Sequence, residues 1–190
     1  MGRFLKQSWL VLTAALVFGL LVALVHGQLK PIIEANAKEK LEREMKALLT
    51  EAVSFDAIPD SEGKSVLYYI GKGAEGGITG YAIEAVGGGF ADKIKLLVTT
   101  DSKCEKLRGI AVLKSNETPG FGDKIKDARF KDQYVGCPAV KLVVTKSGSR
   151  SIVDDKIVSI TGATVSSEAV TRIVNEAVES LRQLQAAPEN

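Results

Sequence analysis

Residues 78–100 read ITGYAIEAVGGGFADKIKLLVTT, and this stretch indicates the fold class of the chain. Two segments, Ile78–Val86 and Ile94–Thr100, are rich in Val, Ile, Leu, Thr and Tyr, which favour β-strands. The three glycines between them, Gly87–Gly89, mark a turn. The stretch therefore predicts two strands joined by a glycine-rich turn.

The same strand pattern continues on both sides of this stretch. Further β segments are predicted at Val66–Ile70, Leu107–Lys114 and Val140–Lys146. A short helix is predicted around Lys124–Phe130, and apolar residues at helical spacing predict a longer one from about Val165 to Leu184. Antiparallel strands followed by a terminal helix favour an α+β domain over a doubly wound sheet.

The N-terminal region contains one long apolar run. Trp9–Val25 is uninterrupted by charge, and the nearest charged residues are Lys6 and Lys30. Crossing the hydrocarbon core takes roughly 17–25 apolar residues, whereas a cleaved signal peptide usually has an apolar core of about 7–15. Val25-His26-Gly27 would make a tolerable cleavage site. The length of the run favours a retained membrane anchor.

Charge alone does not orient this anchor. Arg3 and Lys6 favour a cytoplasmic N-terminus, but four cations also follow the apolar run: Lys30, Lys38, Lys40 and Arg43. A short tail before the anchor and a long domain after it favour an extracytoplasmic domain.

The chain is accordingly divided into four predicted segments. Residues 1–8 form a cytoplasmic tail and residues 9–26 the transmembrane anchor. Residues 27–64 form an amphipathic helical stalk and linker, in which Ile33–Val53 is helical. Residues 65–190 form the folded domain.

Composition excludes several classes of protein. The 25 basic and 23 acidic residues nearly cancel, so no nucleic-acid partner is expected. His26, Cys104 and Cys137 are the whole supply of soft metal ligands, which argues against a protein-ligated iron–sulfur or zinc centre. Redox chemistry would therefore need an imported organic cofactor. Whether the two cysteines form a disulfide stays open.

The first candidate motif, residues 159–168, reads SITGATVSSE and leads into the terminal helix. Thr164 falls at or next to the helix start, where backbone N–H groups lack intrahelical partners and the macrodipole favours an anion. A phosphate would be stabilised there. Gly162 and Ala163 leave the approach open, and Ser166 and Ser167 add hydroxyl donors. The alternative is ordinary helix capping.

The second candidate motif, residues 116–124, reads NETPGFGDK and follows a predicted strand. Pro119 fixes one dihedral angle, and Gly120 and Gly122 allow a rigid loop that exposes its backbone. Phe121 offers a face for a planar ring. The alternative is a plain turn, which a Pro-Gly dipeptide also marks.

Taken together and in this order behind one anchor, the motifs resemble a known family. The chain resembles the FMN-binding G subunit of the Rnf ion-translocating oxidoreductase complex. It is also similar to the related C subunit of the sodium-pumping NADH:quinone reductase. Residues 161–164 match the family's (S/T)GAT motif, and residues 117–122 match its ETPG-x-G loop, with Phe121 where leucine is more usual. Residues 80–82 and 87–89 match its GYA strand and glycine-rich turn.

The resemblance implies that FMN is joined covalently through its phosphate to Thr164. The other cofactor-binding residues that it implies are Glu117, Thr118, Pro119, Gly120, Phe121, Gly122, Thr161, Gly162, Ala163, Val165, Ser166 and Ser167. No catalytic residue and no metal ligand is assigned. The shortness of the chain favours the Rnf family over the quinone reductase.

The resemblance also implies partners and a location. The chain would serve a ferredoxin:NAD⁺ oxidoreductase that moves Na⁺ or H⁺ across the cytoplasmic membrane, with its flavin domain periplasmic or extracellular. Its partners would be the other subunits, membrane lipid around the anchor, and a flavin transferase during maturation. An independent reductase or a membrane-tethered adaptor without cofactor are the alternatives.

Overall fold

The computed structural model describes residues 2–59 and 66–186. Met1, residues 60–65 and residues 187–190 lie outside the described residues, and the predicted boundary between linker and domain at residues 64 and 65 falls among them. The side chains of Arg3 and Lys6, which favour a cytoplasmic N-terminus, also lie outside them. The chain divides into two compact units, Met1–Lys40 and Leu41–Asn190.

Helix α1 runs through Gly2–Leu48 and makes up the described part of the first unit. From Ser8 onward it is long and apolar enough to cross a membrane, with a mean hydropathy of 2.5 in its most apolar window and none of that window buried. An apolar N-terminal helix was predicted, and this is confirmed. Pro31 lies inside the helix, where it removes one backbone hydrogen bond without ending the helix.

A five-stranded antiparallel sheet forms the centre of the second unit. Its strands are β1 (Ser54–Pro59), β2 (Val66–Lys72), β3 (Ile78–Gly88), β4 (Lys93–Asp101) and β5 (Leu107–Lys114), and each pairs with its neighbours in sequence. The predicted strands from 66 to 114 are confirmed. Strand β1 was not predicted, because its sequence SFDAIP carries no strong alternation and it depends on pairing with β2.

Both faces of the sheet are covered at β4, which explains the apolar run of residues 96–98. Ile94, Leu96 and Val98 belong to the larger core, which the C-terminal helix completes. Leu97 points to the opposite face and packs in a smaller core with Met45. Period-two alternation puts successive side chains on opposite faces, so a strand covered on both sides is apolar throughout.

The last turns of α1 belong to the domain and are not a free spacer. Leu41, Met45 and Leu49 are buried against the sheet, and the helix ends at Leu48, short of the predicted Val53. The apolar stripe that suggested an amphipathic stalk is therefore the packing face of a helix in the core.

The chain beyond β5 is less regular. It forms a 3₁₀ turn (Gly122–Lys126), helix α2 (Ala128–Lys131), a second 3₁₀ turn (Asp132–Tyr134), strands β6 (Val143–Thr145) and β7 (Lys156–Val158), and helix α3 (Thr164–Ala186).

The helix predicted at Lys124–Phe130 is interrupted by the extended backbone of Asp127. The strand predicted at Val140–Lys146 is shorter, and it pairs in parallel with β7, which was not predicted. The α+β class and the terminal helix are confirmed.

Candidate functional site

The loop before α3, residues 159–163 (the α3 loop), brings Thr164 to the start of the helix. Gly162 adopts a left-handed backbone with φ of +82°, which permits the turn. Ser167, inside the helix, holds this loop: Ile160 N–H donates to its Oγ at 3.0 Å, and the same hydroxyl donates to the carbonyl of Ala163 at 2.9 Å. The hydroxyl of Ser167, and not that of Thr164, therefore makes the hydrogen bonds that hold the backbone of this loop.

The hydroxyl of Thr164 is not engaged by the protein. Among the residues that the structure describes, none makes a hydrogen bond with it, and the side chain is half-buried. The first backbone N–H groups of α3 also lack intrahelical partners, and the positive end of the helix dipole lies there. An oxyanion held at this point would meet donors and a favourable field.

The loop after β5, residues 115–121 (the β5 loop), makes a tight turn beside the α3 loop. Phe121 N–H donates to the carbonyl of Thr118 at 3.2 Å, with Pro119 and Gly120 in the central positions. Gly120 has φ of +78°, as the third position of a type II turn requires. The ring of Phe121 lies against Gly162, so the two predicted motifs are in direct contact.

Glu117 connects the two loops to the β3–β4 turn. Its side chain is only 4% exposed. One carboxylate oxygen accepts hydrogen bonds from the N–H groups of Phe90 and Ala91, each at 3.0 Å. The other accepts a short hydrogen bond from the hydroxyl of Ser166. Both carboxylate oxygens therefore have hydrogen-bond partners inside the protein.

A groove of about 490 Å³ opens between these three segments. That volume lies within the range of about 300–1,000 Å³ typical of cofactor sites. It is lined by Phe90, Thr118, Phe121, Gly122, Gly162, Ala163, Thr164, Val165 and Ser166. Phe90 and Phe121 are 64% and 56% exposed, and Val165 is exposed as well. Large apolar side chains beside an anion-favouring helix start suit a ligand that combines an aromatic ring system with a phosphate.

Most of the predicted site residues meet at this groove, and some do not. Those that line it are Thr118, Phe121, Gly122, Gly162, Ala163, Thr164, Val165 and Ser166. Pro119 and Gly120 shape the turn behind it, and Glu117 lies behind its wall. Within the protein, Ser166 donates to Glu117, and the fully buried Ser167 holds the α3 loop.

Thr161 faces a different cavity. That cavity, of about 300 Å³, is also lined by Lys124, Arg129, Arg150 and Asp127. Arg150 donates to the carbonyl of Ser159 at 3.1 Å and so supports the α3 loop. Because three basic residues and one acidic residue line this cavity, it carries a net positive charge.

Phe90 was not among the predicted site residues. It follows the glycine turn Gly87–Gly89 directly, and its N–H reaches Glu117, which lies 27 residues away in the chain. The sequence offered one signal for Phe90, an aromatic residue directly after a glycine turn. Only the tertiary contact with Glu117 assigns Phe90 to this groove.

A buried hydroxyl chain supports the first turns of α3 from below. Thr171 Oγ1 donates to the carbonyl of Ser167 at 3.0 Å, so Tyr134 must donate the 2.8 Å hydrogen bond that joins it to Thr171. Burial raises the pKa of the Tyr134 phenol, which therefore remains a neutral donor.

The two cysteines lie away from the groove. Cys104 and Cys137 are free, buried thiols, so the disulfide that the sequence left open is not formed. Burial raises the pKa of both thiols, which disfavours the reactive thiolate.

The chain is similar to known proteins, both in its FMN-binding domain and over most of its length. The FMN-binding domain family matches residues 89–179, which contain both loops and the start of α3. The G subunit of the ion-translocating oxidoreductase complex of Methanosarcina acetivorans is 31% identical over 164 residues, covering 84% of each chain. The G subunit of the proton-translocating ferredoxin:NAD(+) oxidoreductase complex of Clostridium ljungdahlii is 30% identical and covers 87% of this chain and 84% of that protein.

Solved structures share the fold at lower identity. The C subunit of the Na(+)-translocating NADH-quinone reductase from Parabacteroides distasonis superposes with a TM-score of 0.54 at 19% identity, covering 64% of this chain and 63% of that one. NqrC from Shewanella oneidensis gives a TM-score of 0.55 at 17% identity and covers 73% of each chain. Identity over most of the chain is with the G subunits, as the resemblance implied. The chain belongs to the family of G subunits of ion-translocating oxidoreductase complexes.

Proposed function

We propose that this chain is the FMN-carrying electron-transfer subunit of a membrane-bound ferredoxin:NAD⁺ oxidoreductase that couples electron flow to Na⁺ or H⁺ translocation. We further propose that FMN is joined through its phosphate to Thr164. The observation that carries the proposal is the hydroxyl of Thr164. It lies at the start of α3, opens on the groove and has no hydrogen-bond partner among the described residues.

The residues around Thr164 suit the two ends of the cofactor. The N–H groups and dipole of α3 would stabilise the negatively charged phosphodiester. Phe90, Phe121 and Val165 would contact the apolar ring system and exclude water from part of it. FMN, when bound, supplies the electron-transfer chemistry, and the protein supplies orientation and electrostatics.

Attachment requires a separate maturation step. The Oγ of Thr164 would form a bond to the flavin-side phosphorus of FAD while the pyrophosphate bond breaks and AMP leaves. The hydroxyl proton must pass to a base, because an unactivated threonine is a weak nucleophile. Among the described residues, no carboxylate or histidine forms a hydrogen bond with this hydroxyl, which supports the proposal that a flavin transferase supplies the base.

The four predicted segments complete the proposal. Residues 1–8 remain in the cytoplasm and residues 9–26 cross the membrane. The domain that carries the flavin lies outside, and it includes the packed end of α1 from Leu41 and strand β1 as well as residues 65–190. The apolar, exposed part of α1 supports the anchor, with lipid around it and the other subunits of the complex as partners.

Intact mass separates this function from a cofactor-free adaptor. The full chain is co-expressed with a competent flavin transferase, purified in detergent and weighed by mass spectrometry. We expect the chain mass plus FMN less one water, and a fluorescent band on a denaturing gel. An unmodified mass, with a known acceptor flavinylated by the same transferase, contradicts the proposal.

A further inference from the structure

The carboxylate of Glu117 is buried and accepts three hydrogen bonds. Among the described residues, no lysine or arginine forms an ion pair with it. Its stabilisation comes from the N–H groups of Phe90 and Ala91 and from the hydroxyl of Ser166, which lies in the first turn of α3. The positive end of the α3 dipole adds to this, because anions are favoured at a helix start. Neutral donors stabilise the charge but do not cancel it.

Two glycines make room for this carboxylate. A Cβ on Gly89 would overlap the oxygen of Glu117 that accepts from the β3–β4 turn. A Cβ on Gly122 would lie 2.9 Å from the other oxygen and 2.8 Å from the hydroxyl of Ser166. Segments that are distant in sequence thus form a compact cradle around one side chain. Burying a charged carboxylate costs desolvation free energy, which its hydrogen bonds offset in part.

The cradle and the groove share a wall. Phe90, Gly122 and Ser166 contact the carboxylate on one side and line the groove on the other. Glu117 itself does not line the groove. The charge therefore lies one layer of atoms behind the surface that a ligand would touch.

We propose that Glu117 is a positioning residue that fixes a negative charge behind the groove wall and so lowers the midpoint potential of the bound flavin. This inference rests on the proposed function, in which the groove holds FMN. Reduction adds electron density to the ring, and a fixed negative charge nearby opposes it. In a partly desolvated site this opposition is stronger than in water.

The replacement Glu117→Gln removes the charge and keeps the shape. The amide oxygen still accepts from Phe90 and Ala91, and the amide nitrogen donates to Ser166. We expect the purified, flavinylated full chain to show a midpoint potential shifted to more positive values in a spectroelectrochemical titration. Glu168→Gln is the matched control, because it removes an exposed carboxylate from the same end of α3 and should produce a smaller shift.

The replacement Ser166→Ala gives a prediction of opposite sign. It removes one donor and keeps the carboxylate, so the charge is less compensated and the potential should shift to more negative values. A purely structural role for Glu117 would loosen the wall in both variants and move the potential in the same direction. Opposite shifts are therefore the result that supports the proposal.

Other outcomes overturn it. A Glu117→Gln shift that is absent, negative or no larger than that of Glu168→Gln rules out the inference while the proposed function stands. If Glu117→Gln does not fold, the midpoint potential of Ser166→Ala tests the inference instead. A Ser166→Ala potential that is unchanged or more positive than that of the parent rules out the inference. A parent protein without the FMN adduct by mass overturns the proposed function, and the inference with it.

Discussion

The ring of Phe121 packs on Gly162, so the β5 loop and the α3 loop are in contact at the mouth of the groove. A Cβ built on Gly162 would lie 3.1 Å from Cδ1 of this ring, which is closer than ordinary packing allows. Gly162 also has φ of +82°. The relative position of the two loops therefore depends on a glycine at this point.

Gly162→Ala should destabilise the domain and displace Phe121. The left-handed backbone costs a non-glycine residue about 1–2 kcal/mol, and the contact with the ring adds to that. Gly77→Ala is the control, because nothing lies within 4 Å of its added Cβ and no positive φ is required. Denaturant unfolding, followed by circular dichroism, measures the stability of both variants. Equal midpoints for the two variants would contradict the proposed role of Gly162.

Thr164→Val should abolish the FMN adduct while the fold is retained. The hydroxyl of Thr164 has no partner among the described residues, so its loss should change stability by no more than about 0.5 kcal/mol. Thr161→Val is the control, because it changes an exposed hydroxyl in the same motif that faces the other cavity. Intact mass after co-expression with the transferase should show the adduct on Thr161→Val only. An adduct on Thr164→Val would place the attachment elsewhere.

Gly120→Val should leave the protein flavinylated and change how the flavin behaves. The added side chain meets open space, so the effect comes from the backbone, whose φ of +78° a β-branched residue strongly resists. The turn that positions Phe121 should therefore shift, and the visible spectrum or midpoint potential should shift with it. Electron transfer in the complex should be impaired.

Gly77→Val is the control for this change, since it lies in an exposed turn distant in sequence from both loops. If folded, flavinylated Gly120→Val matches the parent in spectrum, potential and turnover, then the β5 loop does not contact the flavin.

Tyr134→Phe should weaken the support beneath α3. It removes the phenol that donates to Thr171 at 2.8 Å and leaves that buried hydroxyl without its donor. Loss of one partner of a buried hydrogen bond costs about 1–3 kcal/mol. Tyr68→Phe, at a partly exposed tyrosine, serves as the control. Equal denaturant midpoints for the two variants would show that the hydroxyl chain contributes little.

The proposed topology is tested with reporters fused to the C-terminus of the full chain. A reporter that is active only outside the cytoplasm should be active there, because the domain follows a single anchor. Activity confined to a cytoplasm-specific reporter would contradict both the orientation and the proposed site of electron transfer.

The sequence alone determined the features that depend on local periodicity. Segments rich in Val, Ile, Leu, Thr and Tyr within residues 78–114 predicted β3, β4 and β5, and helical spacing after Thr164 predicted α3 nearly to its ends. These signals are local, because strand preference is a property of neighbouring residue types and helical spacing repeats every 3.6 residues. The position of Thr164 at a helix start, and hence its candidacy as an anion site, follows from the same local pattern.

The tertiary structure decided which distant segments share a site. The hydrogen bonds of Glu117 reach 27 residues back to Phe90 and 49 residues forward to Ser166, and no periodicity specifies such contacts. Strand β6 was predicted, at Val140–Lys146, but β7 has only three residues, is too short to show an alternation and depends on pairing with β6. The apolar face around Met45 is equally compatible with a free amphipathic helix and with a packed one. The contact with the sheet shows that this helix is packed and not free. The sequence does not reveal this, because burial is a property of the assembled core and not of the segment.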